Sequence, residues 1–320
     1  MSITVILCTY NRCESLAQAL ESIAASTVPE SLEWEVLVVD NNSSDQTRDV
    51  VADFSRRYPG RFRYVLEPQR GKSYALNKGI AEAKGHVLAF TDDDVTVEPM
   101  WLQKLTAPLL DGRWVGCAGR VLPKWSCPIP RWLPEPGGRH PLTALAPLAV
   151  FDLGLEAGPL ADPPFGVNMA FQKDAFTKYG GFRVDLGPGS GGELRVEDTE
   201  FGKRLLDRGE QLWYEPAAVV YHPVPLHRLR KRYFLHWRFD KGRGDIRAFG
   251  FSIALGIPPK IVIAGVPVRL VRRLFRWTVQ WVLTVREPGR FSNQLKVWHL
   301  AGQIMECYLQ AHPARRRVKE

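Results

Sequence analysis

Residues 86–95 read HVLAFTDDDV, an apolar run that ends in three consecutive carboxylates. The run has the length and apolar content of a buried strand. Three adjacent carboxylates repel one another, and a divalent cation with oxygen ligands would relieve that repulsion while leaving room for substrate phosphates. The other interpretation is a solvated loop before the next helix, and the tripeptide alone leaves both open.

Upstream of this run, short apolar stretches alternate with stretches of helical periodicity. The predicted strands are 3–8, 34–39, 62–66 and 86–91, and the predicted helices are 15–25, 45–58 and 72–83. Strands that alternate with helices of this length indicate βαβ units, and continuous apolar strands fit a sheet that is covered on both faces. The sequence therefore predicts the α/β class, with a mostly parallel sheet flanked by helices.

Polar residues follow three of the predicted strands. They are TYNR at 9–12, DNN at 40–42 and DDD at 92–94. In open α/β sheets a ligand lies outside the carboxyl ends of the strands. Three strand ends would therefore offer groups to one crevice, which favours a metal and ligand site over a solvated loop.

Further candidates lie in the second half of the chain. Residues 197–208 predict a helix that begins with Glu197 and Asp198, after a glycine-rich segment that would let backbone approach a ligand. Asp198 or Glu197 could act as a general base, or the pair could be an ordinary acidic helix start. His222 follows an apolar run and is a metal ligand only if the fold brings it to 92–94. Manganese would accept its imidazole more readily than magnesium.

The charge of the chain is unevenly distributed. The net charge is +9, yet residues 1–222 hold more Asp and Glu than Lys and Arg, so the basic excess lies in 223–320. Within that region, 267–283 predicts an amphipathic helix. Its basic face holds Arg269, Arg272, Arg273 and Arg276, and its apolar face holds Leu270, Val271, Leu274, Trp277 and Trp281. Such a helix suits an anionic membrane surface, or it is a solvated helix whose tryptophans pack on the body of the protein.

Several classes of protein lose support. The five cysteines are odd in number and form no CxxC pair, so neither a disulfide framework nor a zinc site is expected. The chain begins without a signal-peptide pattern and has no apolar stretch of about 18 residues, which predicts a cytoplasmic protein, attached at most to the inner face of the cell membrane. Dinucleotide and P-loop fingerprints are absent from the sequence. A nucleotidyltransferase, a non-enzymatic nucleic-acid binder that uses 229–247, and a non-enzymatic membrane-binding protein stay as alternatives.

Seven segments, in order along the chain, resemble the glycosyltransferases of family 2, which have the GT-A fold. They are VILCTYNR, VLVVDNNSSDQT, RGKSYALNKGIAEAKG, VLAFTDDDV, FGVNMAFQKDAFTKYGGF, EDTEFGKRLLDRG and YEPAAVVYHP. The resemblance covers about residues 2–225. It implies a nucleotide-diphospho-sugar transferase domain at 1–225, followed by a basic, aromatic-rich helical region at 226–320.

The resemblance also implies a role for each matching residue. Thr9, Tyr10 and Arg12 would lie against the nucleotide base and ribose, Asp40 would contact the base, Arg70 and Lys72 would lie near the donor, and Asp92, with Asp93 beside it, would lie near the ribose or sugar. Asp94 would bind the metal with the diphosphate, His222 would complete or border the metal site, and Asp198, beside Glu197, would be the catalytic base. The cofactor would be manganese or magnesium.

The implied reaction is an inverting hexosyl transfer from a nucleotide sugar to a saccharide or lipid-linked acceptor, in cell-surface polysaccharide or glycolipid synthesis, with no nucleic-acid partner. The later half of the chain lacks the QxxRW motif of processive members, which favours addition of a single sugar. In roughly that region Arg238, Lys241 or Arg243 would contact the diphosphate instead.

Overall fold

The computed structural model of this chain describes residues 2–133, 145–189, 194–255 and 261–313. The chain divides into two compact units that interleave along the sequence. The first is Met1–Lys124, Leu148–Asp185 and Glu197–Pro223, and the second is Trp125–Pro147, Leu186–Val196 and Val224–Glu320. The expected division into domains at 1–225 and 226–320 stays a prediction.

The N-terminal third of the chain forms the parallel half of a sheet. Its strands are β1 (Ser2–Thr9), β2 (Glu33–Asp40), β3 (Phe62–Leu66) and β4 (Val87–Asp92), and its helices are α1 (Cys13–Ala24), α2 (Thr47–Arg57) and α3 (Lys72–Glu82). The strands lie in the order β3, β2, β1, β4, and all three pairings are parallel. The prediction of an α/β fold is confirmed, and the continuous apolar strands are buried because helices cover the sheet.

The sheet continues with antiparallel strands. These elements are β5 (Thr96–Val97), α4 (Trp101–Thr106), β6 (Gly116–Trp125), β7 (Gly158–Leu160), β8 (Asn168–Gln172), α5 (Lys173–Tyr179), α6 (Glu197–Asp207) and β9 (Leu212–Val224). Strand β8 lies between β4 and β6 and is antiparallel to both, and β5 is antiparallel to β9. The pairing of β5 with β9 places the C-terminal part of β9 beside the segment that follows β4.

The second unit is built on long helices. Its described elements are α7 (Lys231–Leu255), β10 (Val262–Ile263), β11 (Val266–Pro267), α8 (Val268–Leu283) and α9 (Gly289–Ala311), and α7 is interrupted at Gly250 by a non-helical residue. Helix α9 packs against α7 with the two backbones in contact. A Cβ on Gly302 would overlap the carbonyl oxygen of Phe239, and a Cβ on Gly242 would overlap that of His299. Glycine at these two positions therefore permits the close crossing.

Within the described ranges, no helix is long and apolar enough to cross a membrane. The predicted amphipathic helix is present as α8, and its tryptophans are packed on the protein. Trp277 packs against a buried cluster that contains Leu270, and the rings of Trp281 and Trp298 meet edge to face at 5.9 Å. Of the two interpretations of this helix, the packing fits the one in which the tryptophans lie against the body of the protein, and the arginines of the helix are exposed.

Candidate active site

The carboxyl ends of β1, β2 and β4 lie side by side. The strand register places Thr9 opposite Asp40, and Cys8 opposite Asp92. The loops that leave these ends are tied together by side chains. Asn11 Oδ1, on the first loop, accepts a hydrogen bond of 2.7 Å from the backbone N–H of Ser44 on the second. The three polar strand ends found in the sequence therefore form one edge of the sheet.

Asp93 holds this edge together. Its carboxylate accepts hydrogen bonds from Thr9 Oγ1 at 2.7 Å and from Arg12 Nη1 at 3.0 Å. The carboxyl group is buried, and burial raises the pKa of Asp93 to about 6 against the opposing charge of Arg12. Because its carboxylate accepts hydrogen bonds from both Thr9 and Arg12, Asp93 stabilises the loop that follows β1.

Asp92 forms an ion pair with Lys72 at the start of α3. The Lys72 Nζ to Asp92 Oδ1 distance is 2.6 Å. Burial opposes ionisation of both groups, but their mutual attraction outweighs it, so the pKa of Asp92 lies below its ordinary value and the pKa of Lys72 above it. The family resemblance implies that Lys72 lies near the donor and Asp92 near its ribose or sugar, and the structure brings the two side chains into contact.

Asp94 and His222 meet across the pairing of β5 with β9. Thr96 lies opposite Tyr221 in that register, and Asp94 Oδ1 lies 3.5 Å from His222 Nε2. Asp94 Oδ2 accepts a hydrogen bond from Arg12, whereas Oδ1 is buried and accepts none. The sequence left the place of His222 open, and the fold brings it to the acidic strand end.

A buried carboxylate oxygen without a hydrogen bond, beside an imidazole, fits a divalent cation. The described part of the chain contains no cluster of three or more His, Cys, Asp or Glu side chains that could hold a metal ion. Asp94 and His222, 3.5 Å apart, are therefore only two candidate protein ligands. Mg²⁺ commonly binds through one or two carboxylates and takes its other ligands from water and substrate phosphates, so two residues are compatible with such an ion.

Asp40, Tyr10 and Arg70 form a second group of predicted donor-binding residues. Asp40 is buried, and its carboxylate accepts hydrogen bonds from Tyr64 Oη at 2.8 Å and from the N–H of Ser43 at 2.9 Å. Burial and this carboxylate raise the pKa of Tyr64 to about 12. The guanidinium of Arg70 lies over the ring of Tyr10, 4.5 Å from its centroid. Tyr10 and Arg70 are both exposed, so they offer a flat surface to a planar group.

Asn41 lies at this candidate site, and the sequence does not reveal its individual role. Its Oδ1 accepts a hydrogen bond from the N–H of Gly71, and its Nδ2 donates to the carbonyls of Glu67 and Gln69. These bonds fix the loop that carries Arg70 and leads to Lys72. The signal was an Asn directly after a strand, a residue type that bonds nearby backbone.

The start of α6 presents the predicted acidic pair. Asp198 Oδ2 accepts a hydrogen bond from the N–H of Gly166 at 2.7 Å, and Oδ1 accepts one from the N–H of Thr199 at 2.6 Å. Glu197 is buried, and burial, followed by the charge of Asp198, raises its pKa to about 8 against the opposing effect of Lys72. Gly166, which orients Asp198, was not singled out from the sequence.

The acidic pair and the end of β4 belong to one electrostatic cluster. The negative charges of Asp92, Glu197 and Asp198 all raise the pKa of Lys72. The fold therefore unites most of the predicted residues of the first unit around Lys72 and the three aspartates. In the second unit, Lys241 forms an ion pair with Asp245. Arg243 there pairs with Glu306, and a contact of these basic residues with a diphosphate stays a prediction.

Comparison with known proteins adds independent information. The profile of Glycosyl transferase family 2 matches residues 4–161. The chain is 32% identical over 248 residues to the succinoglycan biosynthesis protein ExoM of Rhizobium meliloti. This alignment covers 76% of this chain and 74% of that protein. The chain is 28% identical over 230 residues to a glucosyl-dolichyl phosphate glucuronosyltransferase of Haloferax volcanii, 70% of each chain.

Solved structures share the fold. The mannosyltransferase PcManGT from Pyrobaculum calidifontis, in complex with GDP-Man and Mn²⁺, matches with a TM-score of 0.63 and 18% identity over 96% of this chain and 87% of that one. GalNAc-T7 with UDP, GalNAc and Mn²⁺ matches with a TM-score of 0.58 and 15% identity over 81% and 52%. These matches confirm the predicted GT-A fold.

Proposed function

Because the chain belongs to glycosyltransferase family 2, we propose that it transfers a sugar from a nucleotide-diphosphate donor to an acceptor hydroxyl with inversion at the anomeric carbon. The observation that carries this proposal is the pair formed by Asp94 Oδ1 and His222 Nε2, 3.5 Å apart at the end of β4. The pair lies where an α/β sheet binds its ligand.

The donor would occupy the edge formed by β1, β2 and β4. Tyr10 and Arg70 would stack on the nucleotide base, which Asp40 would also contact through a remaining lone pair of its carboxylate. Arg12 and Thr9 would shape the ribose side through the bonds that they make with Asp93. The ion pair of Lys72 and Asp92 would lie against the ribose or sugar.

Asp94 and His222 would hold a divalent ion, manganese or magnesium. When bound, the ion would neutralise charge that develops on the departing diphosphate. The buried Oδ1 of Asp94, which accepts no hydrogen bond, supports this assignment, since a buried carboxylate oxygen without a hydrogen bond costs free energy in the absence of a cation. The structures of PcManGT and GalNAc-T7 both contain Mn²⁺, which supports the use of such an ion in this fold.

Asp198 would act as the base. Its carboxylate takes the proton of the acceptor hydroxyl while the acceptor oxygen forms a bond to the anomeric carbon. The bond from that carbon to the diphosphate oxygen breaks on the opposite face, and the electron pair leaves with the diphosphate. Glu197 would be protonated at neutral pH because its pKa is raised to about 8, and it therefore adds no second negative charge beside the base.

The acceptor would be a saccharide or a lipid-linked saccharide, and the transferred sugar a hexose. The name of the Rhizobium relative refers to a polysaccharide, and that of the Haloferax relative to a dolichyl phosphate, a lipid carrier. Both names support a place in cell-surface polysaccharide or glycolipid synthesis. We propose that the reaction takes place in the cytoplasm, at the inner face of the membrane.

Isothermal titration of the purified chain with UDP, GDP and dTDP tests the proposal, each nucleotide with manganese and with chelator. We expect one nucleotide to bind, and to bind more weakly after chelation. The anomeric configuration of the product, read by NMR with the matching nucleotide sugar, then tests inversion. Retained configuration would overturn the direct displacement, and failure of all three nucleotides would overturn the donor site.

A further inference from the structure

Helix α8 leaves a row of apolar side chains exposed. Val271, Phe275, Val279 and Val282 recur at intervals of three or four residues and therefore share one face of the helix. Phe275 keeps 72% of its surface exposed and Val282 keeps 67%. A continuous apolar row of this kind on a folded protein marks a surface that binds an apolar partner.

The row is not needed to hold α8 in place. On the other side of the helix Leu270 is fully buried, and Trp277 packs against the cluster that contains Leu270 and Leu300. Trp281 packs edge to face on Trp298 of α9. The helix thus has two apolar faces, of which one is already covered by its own unit.

The hairpin of β10 and β11, which directly precedes α8, carries further exposed apolar side chains. Ile261 and Ile263 are 60% and 66% exposed. Ala264 and Gly265 at the turn have φ values of 49° and 79°, as in a tight two-residue hairpin. The N–H of Val268 donates to the carbonyl of Ile261 at 3.1 Å, so the hairpin is fixed against the first turn of α8.

Positive charge follows the row on one side. Arg272 and Arg276 are exposed and come directly after Val271 and Phe275, which places them on the flank of the row. Residues 261–286 contain five arginines and no Asp or Glu. A second copy of the chain suits this surface poorly, because a two-fold contact would bring the arginines of both copies together. An anionic surface with an apolar interior is complementary to it.

We propose that this α8 face, made of Ile261, Val262, Ile263, Val271, Phe275, Val279 and Val282 with Arg272 and Arg276 beside it, binds the surface of an anionic lipid bilayer. The apolar row would enter the boundary between headgroups and acyl chains, and the arginines would contact lipid phosphates. The inference rests on the proposed function only for its purpose, which is to keep the enzyme where a lipid-linked acceptor is found.

Co-sedimentation of the full chain with vesicles tests the proposal. We expect sedimentation with phosphatidylcholine vesicles that contain phosphatidylglycerol, and much less with phosphatidylcholine alone. Phe275→Ser combined with Val282→Ser should lower the partition coefficient by at least about tenfold. Leu155→Ser combined with Leu226→Ser removes two exposed apolar side chains elsewhere and should leave partitioning unchanged.

A second pair of variants separates charge from apolar contact. Arg272→Gln with Arg276→Gln should weaken binding to the anionic vesicles, whereas Arg56→Gln with Arg208→Gln, at exposed positions of the first unit, should not. Circular dichroism confirms that each variant is folded. Equal binding of the wild type and of the Phe275→Ser, Val282→Ser variant to the anionic vesicles would overturn the proposal. A dimeric wild type that the same double variant converts to a monomer would also overturn it, because the partner of this surface would then be a second copy of the chain.

The outcome is independent of the catalytic assignment. Asp94→Asn and Asp198→Asn lie in the first unit, and both should bind vesicles as the wild type does. If the wild type binds its nucleotide but no vesicles, the surface proposal fails alone. If it binds vesicles but no nucleotide, the proposed donor site fails and the surface stands.

Discussion

The backbone N–H of Gly166 donates to Asp198 Oδ2 at 2.7 Å, and a Cβ on Gly166 would lie 3.1 Å from that same oxygen. A side chain here must push the carboxylate away. We therefore expect Gly166→Ala to lower kcat by about tenfold, because the proposed base loses its position, while nucleotide affinity is unchanged. Steady-state kinetics measure the effect. Gly158→Ala is the control, since a Cβ there has no neighbour within 4 Å, and equal kcat for the two variants would contradict the positioning role.

Removal of the proposed base itself should have a larger effect. We expect Asp198→Asn to lower kcat by about 10²–10⁴ and to leave the affinity for the nucleotide intact, since general base catalysis is lost while the donor site is untouched. Turnover and isothermal titration on the same preparation measure the two effects. Asp162→Asn, an exposed carboxylate in a loop, controls for loss of charge. An active Asp198→Asn enzyme would place the base elsewhere.

The pair of Asp94 and His222 should determine the metal dependence. We expect Asp94→Asn to weaken manganese-dependent nucleotide binding by at least about tenfold, because one of two protein ligands becomes neutral. His222→Ala should reduce the preference for manganese over magnesium, because the imidazole is lost. Titration with each metal measures both, and His86→Ala, an exposed histidine, is the control. Nucleotide binding that no metal affects would contradict the assignment.

The parallel half of the fold could be predicted from the sequence because each strand is a continuous apolar run and each helix has its own periodicity. Strand β3 has the predicted bounds, Phe62–Leu66. Helix α2 begins at Thr47, two residues after its predicted start. The carboxylate of Asp45 accepts bonds from the N–H groups of Thr47 and Cys13, which keeps Asp45 outside the helix. Local chemistry therefore fixed the elements, and side-chain bonds between loops shifted their ends.

The antiparallel half was harder because its signals are long-range. Strand β6, which contains Gly116, Gly119 and Pro123, was not predicted from the sequence. A Cβ at Gly116 would overlap the ring of Phe171, and a Cβ at Gly119 would overlap the carbonyl oxygen of Ala218. Both strand positions therefore require glycine. No local pattern reports such a neighbour.

The contact of His222 with Asp94 depends likewise on the register of β5 and β9, which joins residues far apart in the chain. On α8 the sequence placed Val271 with the tryptophans on one apolar face. The structure divides that face, because α9 covers Trp277 and Trp281 but leaves Val271 exposed.

Glu197 should make stability depend on pH. Burial raises the pKa of Glu197 from its ordinary value of 4.5 to about 8 in the fold, so the folded chain keeps a proton that the unfolded chain releases as pH rises through that window. The contribution of Glu197 to the free energy of unfolding is therefore complete below its ordinary pKa, and it is lost as the pH rises through 8. Glu197→Gln removes the titration.

Relative to the wild type, the Tm of Glu197→Gln should rise by at least about 2 °C between pH 5 and pH 8.5. Thermal melting at several pH values measures this difference. Glu156→Gln, an exposed glutamate, should show no such trend. A Tm difference that is constant over the range would mean that Glu197 titrates normally.

The crossing of α7 and α9 should be sensitive to a single methyl group. Gly302→Ala places a Cβ where the carbonyl oxygen of Phe239 lies, so the two helices must separate. We expect a loss of about 1–3 kcal/mol in the free energy of unfolding, typical of overpacking. Gly289→Ala, on the same helix, is the matched control, because its Cβ would meet only Thr284 Cγ2 at an ordinary 3.7 Å. Urea denaturation compares the two variants, and equal stability would show that the α7 and α9 backbones are not in contact in solution.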